Sequence, residues 1–381
     1  MRHQCPVLHP RHGAIQLNRC VFFSLELAQS LRKRVVGAQE GTHETAVDVT
    51  ANNFACRIGG SVRKRGNFQL ALLVAISLAT WAVLAAAAGS GTDSAGRVAE
   101  GTRLLHGAID MHLHMDSPLP TGVHPEATIA TIRLAKARKM RGVVIKNHSE
   151  PTATLAFLLR QEIPGFDIFG GIVMNRTVGG MNRAAVEHMA TDIYGGPGKI
   201  VWMPANDSEI ESKPPYPEKP FVAVSRDGQL LPEVKEVIAV VAKNHLTLAS
   251  GHISPEDAML VFQEGRRQGV EHMIATHAMD LAGKMTMDQM LEAKKLGAII
   301  EFDFRNILSE GGRRADAIRT LGPEHCLISE FWTKNEAPRV YADLDGVGAF
   351  VEAMHVKGFT DQELDIMVKR NPALLLGLRP L

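Results

Sequence analysis

The stretch Gly107-Ala108-Ile109-Asp110-Met111-His112-Leu113-His114 decides the fold. It is a short apolar run that ends on polar side chains, and the form recurs along the chain. Gly142–His148, Asp167–Asn175, Ile200–Ala205, Leu246–His252, His272–His277, Ala298–Asp303 and Cys326–Glu330 repeat it, so eight candidate strands follow one another. Short runs rich in Val and Ile suit parallel strands buried on both faces. Their ends lie 25 to 47 residues apart, which leaves room for a helical crossover between parallel neighbours. Helix starts fall in those intervals. Ser254-Pro255-Glu256-Asp257 offers a capping hydroxyl, a proline at the first helical position and acids in the first turn, with Met259, Leu260 and Val261 expected against the sheet. Thr286 opens a second helix that Gly297 closes. The longest interval holds a proline-rich loop over Lys213–Pro220 and a hairpin over Phe221–Leu231 turned at Asp227-Gly228. Eight such units over residues 106–381 predict an α/β fold of the (β/α)8 type, a TIM-like barrel. A doubly wound open sheet is the alternative. Its glycine-rich dinucleotide turn is missing where the first strand runs into His112-Leu113-His114.

In such a barrel the reactive residues sit at the carboxyl ends of the strands. There the first strand carries Asp110, His112 and His114, and a spacing of two turns both imidazoles to one face. The fifth ends in Ser250-Gly251-His252, the sixth in Ala275-Thr276-His277 and the eighth in Ile328-Ser329-Glu330. Four imidazoles and a carboxylate from four strands suit Zn, Mn, Fe or Ni better than Ca or Mg. The metal-ligand set expected is therefore His112, His114, His252, His277 and Glu330. Lys146, at the end of the second strand, is read three ways: a carbamate ligand, a cation for substrate, or a partner for Asp110. His148 is a fifth imidazole at the mouth or a cap bonded to backbone. Asn175, Arg176 and Arg183 surround Gly179-Gly180 after the third strand, where they are candidates to bind substrate. Asp303 and Arg305 suggest a structural ion pair, and the remaining histidines, His188, His245, His272, His325 and His355 among them, a structural role.

The run Ile109-Asp110-Met111-His112-Leu113-His114 resembles the first-strand signature of the amidohydrolase superfamily. Asn371-Pro372-Ala373-Leu374-Leu375-Leu376-Gly377-Leu378 is similar to its last helix. Gly170-Gly171-Ile172-Val173-Met174-Asn175, Gly179-Gly180-Met181-Asn182 and Val201-Trp202-Met203-Pro204 resemble a poorly characterised branch of it. The resemblance covers residues 106–381. It implies one or two divalent ions, histidines after strands five and six, and an acid after strand eight. Two departures stand out. The eighth-strand acid is Glu330 where the superfamily usually has Asp, and no lysine ends the fourth strand, Met203-Pro204-Ala205-Asn206-Asp207.

The expected chemistry is metal-assisted hydrolysis of a small-molecule amide, lactone or ester. Glu330 would move the proton and His277 would ligate or stabilise the oxyanion. Two alternatives remain open. One is a metal-dependent non-oxidative decarboxylase; the other is an exported barrel that binds metal or ligand without catalysis, suggested by Glu330. A histidinol-phosphatase-like barrel fits less well, because Ser329-Glu330-Phe331-Trp332 lacks the Asp and His two apart that close its motif set.

Residues 66–92 carry no charge, and within them Leu70–Ala88 is almost continuously apolar after Arg63-Lys64-Arg65. That reads as a secretory signal peptide over residues 66–89, or as an uncleaved membrane anchor. Residues 1–65 read as a poorly ordered extension and residues 90–105 as a linker; an internal start near Val62 would account for the extension. A periplasmic or secreted barrel is expected, with a membrane-anchored or cytoplasmic one as alternatives. The chain holds 42 Lys and Arg against 41 Asp and Glu, but residues 66–381 hold 32 against 37, so the barrel carries no basic excess for nucleic acid. Only 5% of residues are aromatic, too few for a base-stacking platform. Cys5, Cys20, Cys56 and Cys326 show no zinc-type pairing. The partners expected are a small-molecule substrate and a possible second copy, with membrane contact only through the amino-terminal apolar segment.

Overall fold

The computed structural model describes residues 94–115, 125–193, 195–214, 218–280, 284–304, 306–331 and 343–381. The proposed extension, the apolar segment, Arg305 and residues 215–217 of the proline-rich loop lie outside them. Eight strands run parallel in the order they occur in the barrel: β1 (Ile109–His114), β2 (Gly142–Lys146), β3 (Asp167–Val173), β4 (Gly198–Trp202), β7 (Thr247–Ala249), β8 (His272–Ala275), β9 (Ala298–Asp303) and β10 (Cys326–Ser329). β10 returns beside β1, where the Glu330 amide donates to Asp110 Oδ1 at 3.1 Å. The result is a nearly closed (β/α)8 barrel. β5 (Ser225–Arg226) and β6 (Gln229–Leu230) form the expected antiparallel hairpin, with both turn residues, Asp227 and Gly228, at positive φ.

Two apolar layers hold the barrel. Inside lie Ile109, Met111, Val144, Phe169, Ile200, Trp202, Ile274 and Leu327. The closing helix, Asn371–Leu375, brings Ala373 and Leu375 to this same cluster. Asn371 secures it by donating to the carbonyl of Cys326 at 2.8 Å. Outside, the helices bury their faces on the strands. In the helix Pro255–Gln268 the Ser254 hydroxyl accepts from the Asp257 amide, as its capping position requires. Its buried stripe is Ala258, Val261, Phe262 and Gly265, while Met259 and Leu260 are only half-buried. Three consecutive helical positions fan over about 200° of the helix, so Met259, Leu260 and Val261 cannot share one face. Thr286 caps its helix with a reciprocal box to Gln289.

The linker expected over residues 90–105 is corrected over 94–105, which are helical. Gly101, Leu104 and Leu105 are buried at the i, i+3, i+4 spacing of a helical face, a signal that the Gly- and Ser-rich composition had masked. Arg103 ties the helix down through Asp361 at 2.8 Å and Asp365 at 3.1 Å.

Candidate metal centre

Strand β1 does not alternate regularly. Its pairing with β2 shifts by one residue between Asp110 and Leu113. Such a bulge re-aims side chains. Met111 can thus join the interior cluster while His112 also faces inward, its ring 6.0 Å from Trp202. Asp110 accepts from the His112 amide at 3.1 Å as well as from Glu330, so it pins the two strand ends that carry site residues.

The other histidines leave their strands just past the last paired residue. Gly251, at φ +60, makes the turn before His252; a Cβ there would stand 2.2 Å from the Met203 carbonyl oxygen, so no other residue fits. The Thr276 amide donates to Ser250 Oγ at 2.9 Å, and the Gly251 amide to Thr276 Oγ1 at 3.3 Å, which locks the two histidine turns together. His277 and Glu330 both adopt the left-handed region, at φ +47 and +56. That conformation costs a non-glycine residue about 1–3 kcal/mol and collects at functional sites.

The imidazoles converge. Ring centroids stand 4.8 Å apart for His112 and His114, 4.7 Å for His112 and His277, 5.5 Å for His252 and His277, and 4.9 Å for His114 and His148. A single oxygen, Glu330 Oε1, lies 3.0 Å from His114 Nε2, 3.8 Å from His277 Nε2 and 4.0 Å from His112 Nε2. The longer Glu side chain therefore still reaches the cluster. Lys146, fully buried, places Nζ 2.8 Å from His112 Nε2 and 5.6 Å from the centre of the Trp202 ring.

Carboxylates stand behind the rings at their Nδ1 atoms, and the sequence reading had missed them. Glu301 Oε1 is 3.0 Å from His112 Nδ1, Glu211 bonds His252 Nδ1, and Asp280 Oδ2 lies 4.0 Å from His277 Nδ1. Asp280 is itself held by Arg314 Nη2 at 2.7 Å. Of these, Glu301 had a readable signal: a lone acid inside the apolar run Ala298-Ile299-Ile300-Glu301-Phe302. Glu211 had none, since it lies in a short 3-10 turn, Ile210–Ser212, far from His252 in the chain.

Burial dominates the electrostatics. It lowers His252 to about 3, against the hydrogen bond of Glu211, and His277 to about 4, against the charge of Glu330. Burial and then Lys146 bring His112 well below the imidazole range. These rings are neutral at pH 7 and keep a lone pair for a cation. Burial alone would raise Glu330, but His277 and the His114 hydrogen bond outweigh it and hold the carboxyl well below its usual range. Glu301 goes the other way, pushed up by burial to about 7.

The donor set fits a divalent transition metal. Ligand atoms of His112, His114 and Glu330 lie within 4.8 Å of one another, as do those of His112, His277 and Glu301. Moreover His252 Nε2, His277 Nδ1 and Glu301 Oε2 are buried without a hydrogen-bond partner. Buried polar atoms are seldom left so.

Of the residues expected to bind substrate, His148 is at the mouth, 6.0 Å from His252. Arg176 is exposed on the rim, its amide donating to Asp207 at 2.9 Å. Asn175 and Arg183 are otherwise engaged. The Asn175 amide donates to the His148 carbonyl at 2.8 Å and accepts from the Ala205 and Asp207 amides at 2.9 and 3.3 Å. It binds loops together, because a buried amide finds backbone partners. Arg183 turns along its own helix to Glu187 at 2.9 Å. Cys326 is a buried filler of β10.

A family model described as "Family of unknown function (DUF6282)" matches residues 107–301. No curated protein matches the chain. Among solved structures, an organophosphorus hydrolase from Deinococcus radiodurans is similar at 17% identity, with 71% of this chain and 92% of that one covered and a TM-score of 0.46. An amidohydrolase from Pseudomonas aeruginosa matches at 12% identity over 73% of this chain and 98% of that one, with a TM-score of 0.48. A variant of a Deinococcus radiodurans PTE-like lactonase matches at 17% identity over 71% and 96%, also at 0.48.

Proposed function

Because the chain belongs to DUF6282, a family of unknown function, its activity has to be read from its own site, and we propose that it is a metal-dependent hydrolase of a small-molecule lactone, ester or amide. One observation carries the reading: three imidazole Nε2 atoms, two from the end of β1 and one from just past β8, lie within 4.0 Å of Glu330 Oε1, itself just past β10. His112, His114 and Glu330 would hold the first ion, with His252 and His277 completing the shell. The two ligand groups share His112, so a second ion would be the weaker. A bound zinc, or Mn, Fe or Ni, would supply a Lewis-acid charge that acidifies water and polarises the scissile group.

The protein's own residues supply the rest. Glu330 is anionic at neutral pH and accepts the proton of the attacking water, then returns it to the leaving group. If His277 does not ligate, its ring faces the oxyanion that develops. Lys146 Nζ stands against His112 Nε2 and would help to seat that ring. Arg176, exposed after β3, would meet an anionic group of the substrate. Export to the periplasm or outside the cell, through residues 66–89, and self-association belong to the same reading and rest on the sequence.

The test uses the full chain, stripped with chelator and titrated with Zn, Mn, Fe and Ni. Expected is one tight equivalent, with turnover of a lactone, phosphoester or amide only when loaded. The His112→Asn/His252→Asn double variant should lose the metal; full retention would overturn the proposal. Loaded protein that turns over only aromatic acids would favour the decarboxylase.

A further inference from the structure

His112 has a carboxylate on one ring nitrogen and a lysine on the other, and that pairing has a chemical consequence. The Lys146 Nζ atom carries N–H hydrogens whether or not it is charged, so at 2.8 Å it can donate to His112 Nε2, which is then the acceptor. In a neutral ring the proton then sits on Nδ1, where it meets Glu301 Oε1 at 3.0 Å. The Ser329 hydroxyl, on the neighbouring strand, donates to that same Glu301 oxygen. Glu301 and Ser329 are 2% and 0% exposed, so neither bond competes with water. Between Ile300 and Phe302 an apolar side chain would serve the barrel better, since a buried carboxylate is costly unless fully paired and Glu301 Oε2 has no partner.

We propose that Glu301, seated by Ser329, is a positioning residue that holds His112 in the Nδ1–H tautomer and so keeps its Nε2 atom free of a proton, as an acceptor. A carboxylate behind a ligating imidazole fixes ring orientation and raises ligand basicity. The consequence for affinity rests on the reading of His112 as a metal ligand; the tautomer itself does not.

The experiment has two arms, both on the full chain. In metal-free protein labelled with ¹⁵N-histidine, long-range ¹⁵N–¹H correlation reports which nitrogen of His112 carries the proton. Wild type should show Nδ1–H, and Lys146→Met should keep it, because Glu301 suffices. The Lys146→Met/Glu301→Leu double variant should shift toward the Nε2–H form that free imidazole side chains favour. Nε2–H in wild type, or its appearance in Lys146→Met alone, would overturn the assignment. In the second arm zinc affinity is measured by competition with a chelator. Glu301→Leu should weaken it about 10- to 100-fold, whereas Glu301→Gln, which keeps an oxygen acceptor, should stay within about threefold of wild type on the same scale. Unchanged affinity in Glu301→Leu would refute the positioning role, and so would loss of a whole equivalent, which would make Glu301 a ligand. Should Glu301→Leu not fold, Lys146→Met and Glu301→Gln still decide. If wild type binds no zinc, the hydrolase proposal fails while the tautomer result stands.

Discussion

Replacing His252 by Gln should change how the metal-free protein responds to acid, and the size of the change follows from burial. His252 is 8% exposed and lowered to about 3 from an ordinary 6.5. In the unfolded chain it takes up a proton as pH falls through about 6.5, while the folded protein keeps it neutral. The unfolded state then binds more protons, so folding free energy declines with falling pH at about 1.4 kcal/mol per unit for this one group. Between pH 6.5 and 5 the histidine therefore costs about 2 kcal/mol. The loss would stop only near the folded value. A glutamine at 252 does not titrate, and its amide still donates to Glu211. At pH 7 the variant should be less stable by about 1 kcal/mol, the worth of an imperfect hydrogen bond. By pH 5 the order should invert, the variant leading by about 1 kcal/mol. Urea unfolding of chelator-treated protein, followed by tryptophan fluorescence at pH 7, 6 and 5, measures the difference. Parallel curves for the two proteins would refute the claim that His252 is buried and neutral. His277, lowered to about 4, should behave alike, whereas Glu301, raised to about 7, contributes in the opposite sense. Its stabilisation is full below about 4.5 and fades as pH rises through about 7.

Glu330→Gln should lower turnover of the loaded enzyme by at least about 100-fold, since it removes the proton acceptor; steady-state kinetics at saturating metal would show it. Asn175→Ala should cost about 3 kcal/mol of stability, because it strands the buried amide of Ala205, yet leave zinc affinity as it was. Arg183→Ala should change neither turnover nor KM, its guanidinium being engaged with Glu187 away from the cluster. Gly348→Val should detach the helix over residues 94–105, for a Cβ there would stand 1.8 Å from the Arg97 carbonyl oxygen. Limited proteolysis would then cut within residues 94–108 in the variant and not in wild type.

The barrel was legible because its signal is local. A parallel strand buried on both faces is a short apolar run wherever it occurs, and each of the eight runs pairs as read, though β7 and β8 stop short of His252 and His277. The histidines were legible for a related reason: the chain leaves a barrel strand at the mouth, so a residue at a strand's end is already near the others. Residues 94–105 were misjudged because small residues hide a helical face whose partner, the helix Leu344–Val356, lies far off in sequence. The partners of Asn175 and Arg183 were not legible, because residue type does not say whether a polar group will find a partner inside the protein.

By itself the sequence determined the number and direction of the strands, the end of the barrel where chemistry collects, and the imidazoles and acid available there. Hydrophobic periodicity and strand ends are properties of a chain within a few residues. Only the tertiary structure decided that Glu301, Glu211 and Asp280 stand behind the rings, and that a bulge in β1 turns His112 inward. It also decided that Lys146 meets an imidazole at 2.8 Å. Those pairings depend on strand register and loop closure, which bring groups tens to hundreds of residues apart to within one hydrogen bond. The pKa values follow from the same closure, since an imidazole is lowered by the water it loses and not by its neighbours in the chain.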